Sequence, residues 1–104
     1  MLRLINLTNT AMKAQVTETF SNTVLRRIIV LRTIKKGYPP LSGEVAGVLN
    51  WTPPRLSLVK SGLCRMTPAD LEKLADWAGT DVAKLVTPEA FAKEATRAAE
   101  QITY

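Results

Sequence analysis

Histidine is absent from this chain of 104 residues and cysteine occurs once, as Cys64, so no Cys–His pair and no Ser–His–Asp triad can be assembled. The sequence carries no phosphate-cradling glycine loop and no spacing of metal ligands. Its carboxylates at Asp70, Glu72 and Asp76 stand where helix capping and solubility account for them. An enzyme is therefore not expected, nor a cofactor or a metal. What remains is cationic chemistry, and it is unevenly spread. From Met1 to Arg65 ten basic residues (Arg3, Lys13, Arg26, Arg27, Arg32, Lys35, Lys36, Arg55, Lys60 and Arg65) face two acids, Glu18 and Glu44. That part carries +8 and the remainder −3 within a net +5. A polyanion would meet the N-terminal two-thirds.

The length allows one domain with one modest core. A lone cysteine cannot form an intrachain disulfide; Cys64 is expected to pack as a small apolar residue in a reducing compartment. Met1 to Thr10 lacks the sustained apolar core of a secretory signal. The run Ile28-Ile29-Val30-Leu31 is far too short to span a bilayer. A cytoplasmic protein, not bound to membrane, is expected.

The element that must position the cations lies at residues 42–62. There EVAGVL and RLSLVK read as two short helices separated by the break Asn50-Trp51-Thr52-Pro53-Pro54, the outline of a helix-turn-helix. Val45, Val48 and Leu49 share one face of the first helix, with small Ala46 beside it; Leu56 and Val59 face inward from the second. Asn50 and Gly62 suit left-handed backbone at the turn and at the second helix's end. Ser42 is expected to cap the first helix, Pro53 to cap the second and Pro54 to begin it.

Around this stretch the pattern predicts more helices. Phe20, Val24, Leu25, Ile28, Ile29, Leu31 and Ile34 recur at helical spacing from about Phe20 to Lys36, ended by Gly37 and Tyr38-Pro39-Pro40. Thr67-Pro68-Ala69-Asp70 and Thr87-Pro88-Glu89 are two start signals, each a capping threonine with proline at the first helical position. The helix after the first carries Leu71, Leu74, Ala75 and Ala78, with Trp77 at the core's edge. A short turn follows at Val82 to Val86, with Val82, Leu85 and Val86 expected in the core. The last helix, reaching about Ile102, has an apolar side of Phe91, Ala95, Ala98, Ala99 and Ile102. Such a face packs on its own domain or on a partner: a second copy, or another protein. Residues 1–19 read as an arm, and Arg3 and Lys13 on it as a thin basic grip.

The order of Ala46, Asn50, Trp51, Leu56-Ser57-Leu58-Val59 and Gly62 resembles the Cro/repressor (XRE-type) DNA-binding proteins of phages and bacteria. The resemblance continues through Met66 to Gly79 and covers roughly residues 20–87. Within the family, the lambdoid phage early activators, which place a Trp shortly before a Gly near here, are the sub-group it is similar to. The resemblance implies an all-α, five-helix, lambda-repressor-like fold with an N-terminal arm (1–19), a helix-turn-helix domain (20–87) and a C-terminal extra helix (88–104). It also implies a transcriptional regulator of phage or prophage type that reads the major groove of duplex DNA.

On that pattern Lys35 and the amides near Ser42 meet phosphates. Lys35 reads equally well as part of a solvated basic face. The second helix of the pair enters the groove N-terminal end first, so Thr52, Pro53, Pro54, Ser57 and Leu58 lie nearest base edges. Arg55 reaches a base or a phosphate, while Lys60, Ser61 and Arg65 suit the backbone. Pro53-Pro54 departs from the polar residues common there and removes two amide donors. Modest specificity per subunit is expected, and hence a homodimer or higher oligomer on a repeated site. The alternatives are a helical protein-interaction module and an antitoxin-type autoregulator holding a protein partner on its last helix.

Overall fold

A computed structural model describes residues 17–101. The arm at 1–16, with Arg3 and Lys13, and Ile102 at the far end lie outside the described residues. Among those described there are five α-helices and no strand: α1 (Phe20–Lys36), α2 (Ser42–Val48), α3 (Pro53–Ser61), α4 (Pro68–Trp77) and α5 (Pro88–Glu100), with a 3-10 turn at Val82–Leu85 before α5. No helix among them is long and apolar enough to cross a membrane.

Three of the helices, α1, α4 and α5, begin where a side chain satisfies free amides. Thr19 and Asn22 form a reciprocal capping box at α1: the Thr19 hydroxyl accepts from the Asn22 amide at 3.0 Å and the Thr19 amide donates to Asn22 Oδ1 at 2.8 Å. Thr67 and Thr87 cap α4 and α5 by accepting from the amides of Asp70 and Ala90. The helices also end as the sequence predicts. Gly37, Gly62 and Gly79 take φ values of 87°, 89° and 77°, and Asn50 takes 60°, conformations that cost a β-branched residue dearly.

Packing then follows the apolar stripes. Val24, Leu25, Ile28 and Leu31 of α1 are fully buried and form the spine of one core. Against it lie Leu56 and Val59 of α3, Leu71 and Leu74 of α4, Leu85 of the 3-10 turn and Ala98 of α5. Each buried leucine or isoleucine stabilises the domain by about 1.5–3 kcal/mol. α1 touches α3, α4, the 3-10 turn and α5, while α2 rests on α3 and α4. The apolar side of α5 packs on the domain's own core through Phe91, Ala95 and Ala98, and Ala99 is exposed.

Four expectations need correction. Ser42 is the first helical residue of α2, not its cap; the cap is Leu41, whose carbonyl accepts from the amides of Glu44 and Val45. Similarly Thr52, not Pro53, caps α3, and both prolines lie in its first turn. Thr52 has the extended backbone (φ −90°, ψ 153°) that a residue before proline adopts, so the helix starts one residue earlier. Phe20 is 56% exposed, because side chains lean towards the N-terminus of a helix and the first one projects past the covered end. Val86 is exposed as well. In a 3-10 turn residues three apart eclipse, so Val82 and Leu85 share the inner side and Val86 turns away.

Candidate nucleic-acid interface

The turn between α2 and α3 is built on one carbonyl. Ala46 O accepts from the amides of Leu49 at 3.0 Å and Trp51 at 2.9 Å, while left-handed Asn50 reverses the chain. Ala46 itself is fully buried beside Val45, so a small side chain lets α3 cross α2 closely. Leu56 and Val59 then fasten the inner side of α3 to the core. Thr52, Pro53, Pro54, Arg55, Ser57, Leu58 and Lys60 are left exposed along its outer side, which includes every residue of α3 but Ser61 that the sequence singled out.

The first turn of α3 offers no free amide. Pro53 and Pro54 have no N–H, and the next two amides, of Arg55 and Leu56, donate to Thr52 O at 3.1 and 3.3 Å. An anion cannot be held there by backbone donors, the usual device at a helix start. Side chains must do the recognising at this end. The Thr52 hydroxyl makes no capping bond, and Arg55 lies with its guanidinium carbon 3.9 Å from the centroid of the Trp51 ring.

The C-terminal end of α3 is fastened by a polar knot. Asn22 Nδ2 donates to Lys60 O at 3.2 Å and to Thr17 O at 2.7 Å, and the Thr17 amide donates to Ser61 O at 3.1 Å. Ser21 Oγ accepts from the Met66 amide at 2.8 Å. Thr17 lies so close over Gly62 that a Cβ there would collide with the Thr17 carbonyl oxygen. Left-handed backbone and close approach together require glycine at this position. The half-buried Ser61 directs its hydroxyl to Leu58 O at 3.0 Å. Cys64 is half-buried against the core, its thiol 3.6 Å from the Arg65 carbonyl.

The charged side chains of Lys60 and Arg65 are exposed and make no hydrogen bond or ion pair among the described residues. Ser42 is exposed at the start of α2. Lys35 is not brought to this group: its ammonium donates to Ala78 O at 2.7 Å and Gly79 O at 3.3 Å, at the end of α4. Glu44, the acid nearest the group in sequence, is drawn towards Arg32 at 3.8 Å. The Glu18 carboxyl is held below its usual range, through the Thr23 hydroxyl first and Arg26 second. It stands just before α1.

Three residues matter to this geometry in ways that the sequence reading does not assign. Trp51 marks the turn and the resemblance there, yet it also carries Arg55; the spacing of four is the available signal. Asn22 and Arg32 fall between the apolar positions of α1, where a helical period says nothing of their partners. Comparison with family models, with curated proteins and with solved structures finds no match for this chain.

Proposed function

We propose that this chain is a sequence-specific regulator of transcription, of phage or prophage type, in which α2, the turn and α3 act as a helix-turn-helix on duplex DNA. The observation that carries the proposal is the outer side of α3. It presents Arg55 and Lys60, followed by Arg65, with no acidic residue among them, on a helix whose inner side and C-terminal end are rigidly fastened. A charge distribution of this kind supplies salt-dependent attraction to phosphate, and a fixed helix supplies register.

Roles follow from the groups exposed. Lys60, Ser61 and Arg65 would meet the sugar-phosphate backbone, with Ser42 on a neighbouring phosphate. Thr52, Arg55 and Ser57 would bring hydrogen bonds to base edges. Pro53, Pro54 and Leu58 would bring only carbon, suited to the C5-methyl of thymine. Three hydrogen-bonding side chains are few, so useful specificity requires a dimer or higher oligomer on a repeated site. Nanomolar binding by a monomeric form would refute that requirement.

The test is a fluorescence-anisotropy titration at near-physiological salt, comparing duplex from upstream of the protein's own gene with a scrambled duplex of equal length. A preference of about a thousandfold or more is expected, the lower range for specific regulators. Weak binding to both that vanishes with salt would leave only a basic surface. No binding to either at low salt would favour an interaction module or an antitoxin-type autoregulator, with its partner on the outer side of α5.

A further inference from the structure

We propose that Trp51 is a positioning residue for Arg55, and that the stacked pair reads a guanine. This inference rests on α3 being the DNA-facing helix. Four observations lead to it. The guanidinium carbon is 3.9 Å from the indole centroid, a separation at which the two groups are in contact. Trp51 is itself anchored, half-buried against the core with its amide bonded to Ala46 O at 2.9 Å. Arg55 sits in the first turn of α3, where two prolines and the Thr52 carbonyl fix the backbone beneath it.

The fourth observation separates Arg55 from the arginines of α1. The guanidinium groups of Arg26, Arg27 and Arg32 each donate to an oxygen within the domain, whereas that of Arg55 donates to none among the described residues and remains exposed. Stacking occupies a face of the guanidinium, while its five N–H groups lie in the plane and point outward from its edge. Two parallel donors on that edge match O6 and N7 of guanine in the major groove; adenine places a donor where guanine has O6. A side chain already held on a ring loses less freedom on binding. Lysine at this position would keep the charge and lose the fork.

The experiment begins with the free protein and then uses a duplex selected by it from a random-sequence pool. In the free protein the Trp51 ring current should move the Arg55 side-chain protons upfield in NMR spectra, and Trp51→Leu should abolish that shift. On the selected duplex, replacing one particular guanine by 7-deazaguanine, which lacks N7, should weaken wild-type binding by about five- to a hundredfold. Arg55→Ala should be indifferent to that replacement, while Arg55→Lys should respond to it less than wild type does and keep the wild-type salt dependence. Trp51→Leu should lose roughly two- to fivefold of the discrimination, the range of an exposed cation–π contact. Trp51→Phe should recover part of it. Should Trp51→Leu fold poorly, Trp51→Phe and Arg55→Lys carry the same test.

Selective binding in which Trp51→Leu, folded, discriminates as wild type does would remove the positioning role. Selective binding insensitive to 7-deazaguanine everywhere would remove the guanine. A pool from which nothing is selected would overturn the DNA reading of α3, and the proposal with it.

Discussion

The cations of α1 and those of α3 look alike in a charge count and do opposite things. On α1, Arg27 donates to Leu85 O at 2.7 Å, Arg32 to Trp77 O at 3.3 Å, and Lys35 to Ala78 O at 2.7 Å. These carbonyls lie at the ends of the 3-10 turn and of α4, where the helix dipole leaves partial negative charge. α4 has no basic residue in its own last turn, so α1 supplies the charge across the fold. Arg32 also lies 4.4 Å from the Trp77 ring and Arg27 5.6 Å from that of Phe91. On α3, the side chains of Lys60 and the following Arg65 have no such partner among the described residues, and the Arg55 guanidinium has only a ring there. The difference teaches that a positive sequence segment is not yet a positive surface: three of its cations hold the C-terminal third of the chain in place.

The most severe break of this comparison is Arg32→Ala. Its side chain is only 20% exposed and serves a carbonyl, a ring and Glu44 together, so unfolding free energy in urea should fall by about 2–4 kcal/mol. The salt dependence of DNA binding should stay unchanged. Next comes Arg55→Ala, which should cost about 1–3 kcal/mol in binding and loosen preference at one base position, with stability moved by no more than about 1 kcal/mol through the lost ring contact. Equal losses on specific and random duplex would show that it meets phosphate instead. Lys35→Ala should lower stability by roughly 1 kcal/mol through the lost C-terminal cap of α4. A drop in duplex affinity instead would return Lys35 to the phosphate role that the resemblance implied.

Smaller still, Lys60→Ala should weaken all duplexes alike and reduce the slope of log affinity against log salt by about one, with thermal stability unchanged. The least effect is expected from Glu18→Gln. The Glu18 carboxyl is held below the usual carboxylate range in the folded chain by Thr23 and then Arg26. Its contribution to stability is therefore present above that range and lost as pH falls through the depressed value. Wild type and variant should differ slightly at neutral pH and converge in acid, a pattern that paired thermal melts across pH would show. The pair is exposed, and a difference that grew in acid would contradict this assignment.

Much of the fold could be read from residues whose effect is local. Thr67-Pro68 and Thr87-Pro88 announced two helix starts because a hydroxyl and a pre-set φ act within one turn. Asn50, Gly37, Gly62 and Gly79 marked reversals because few side chains tolerate positive φ. The apolar stripe of α1 was legible because burial follows a period of 3.6 residues. Phe20 and Val86 were misplaced because their exposure depends on where a neighbouring element stops. For the candidate site, the outward positions of α3 followed once Leu56 and Val59 faced inward. The platform beneath Arg55 did not, since stacking depends on side-chain direction as well as spacing.

The sequence by itself determined where most helices begin and end, which faces are apolar, and that no histidine is present. These depend on interactions a few residues apart or on composition. Only the tertiary structure decided which cations remain free. Arg27, Arg32 and Lys35 meet carbonyls 58, 45 and 43 residues further along the chain, and Asn22 meets Lys60 across 38. Separations of that order leave no periodic trace, because whether two such groups meet is set by how the helices cross and not by the residues between them.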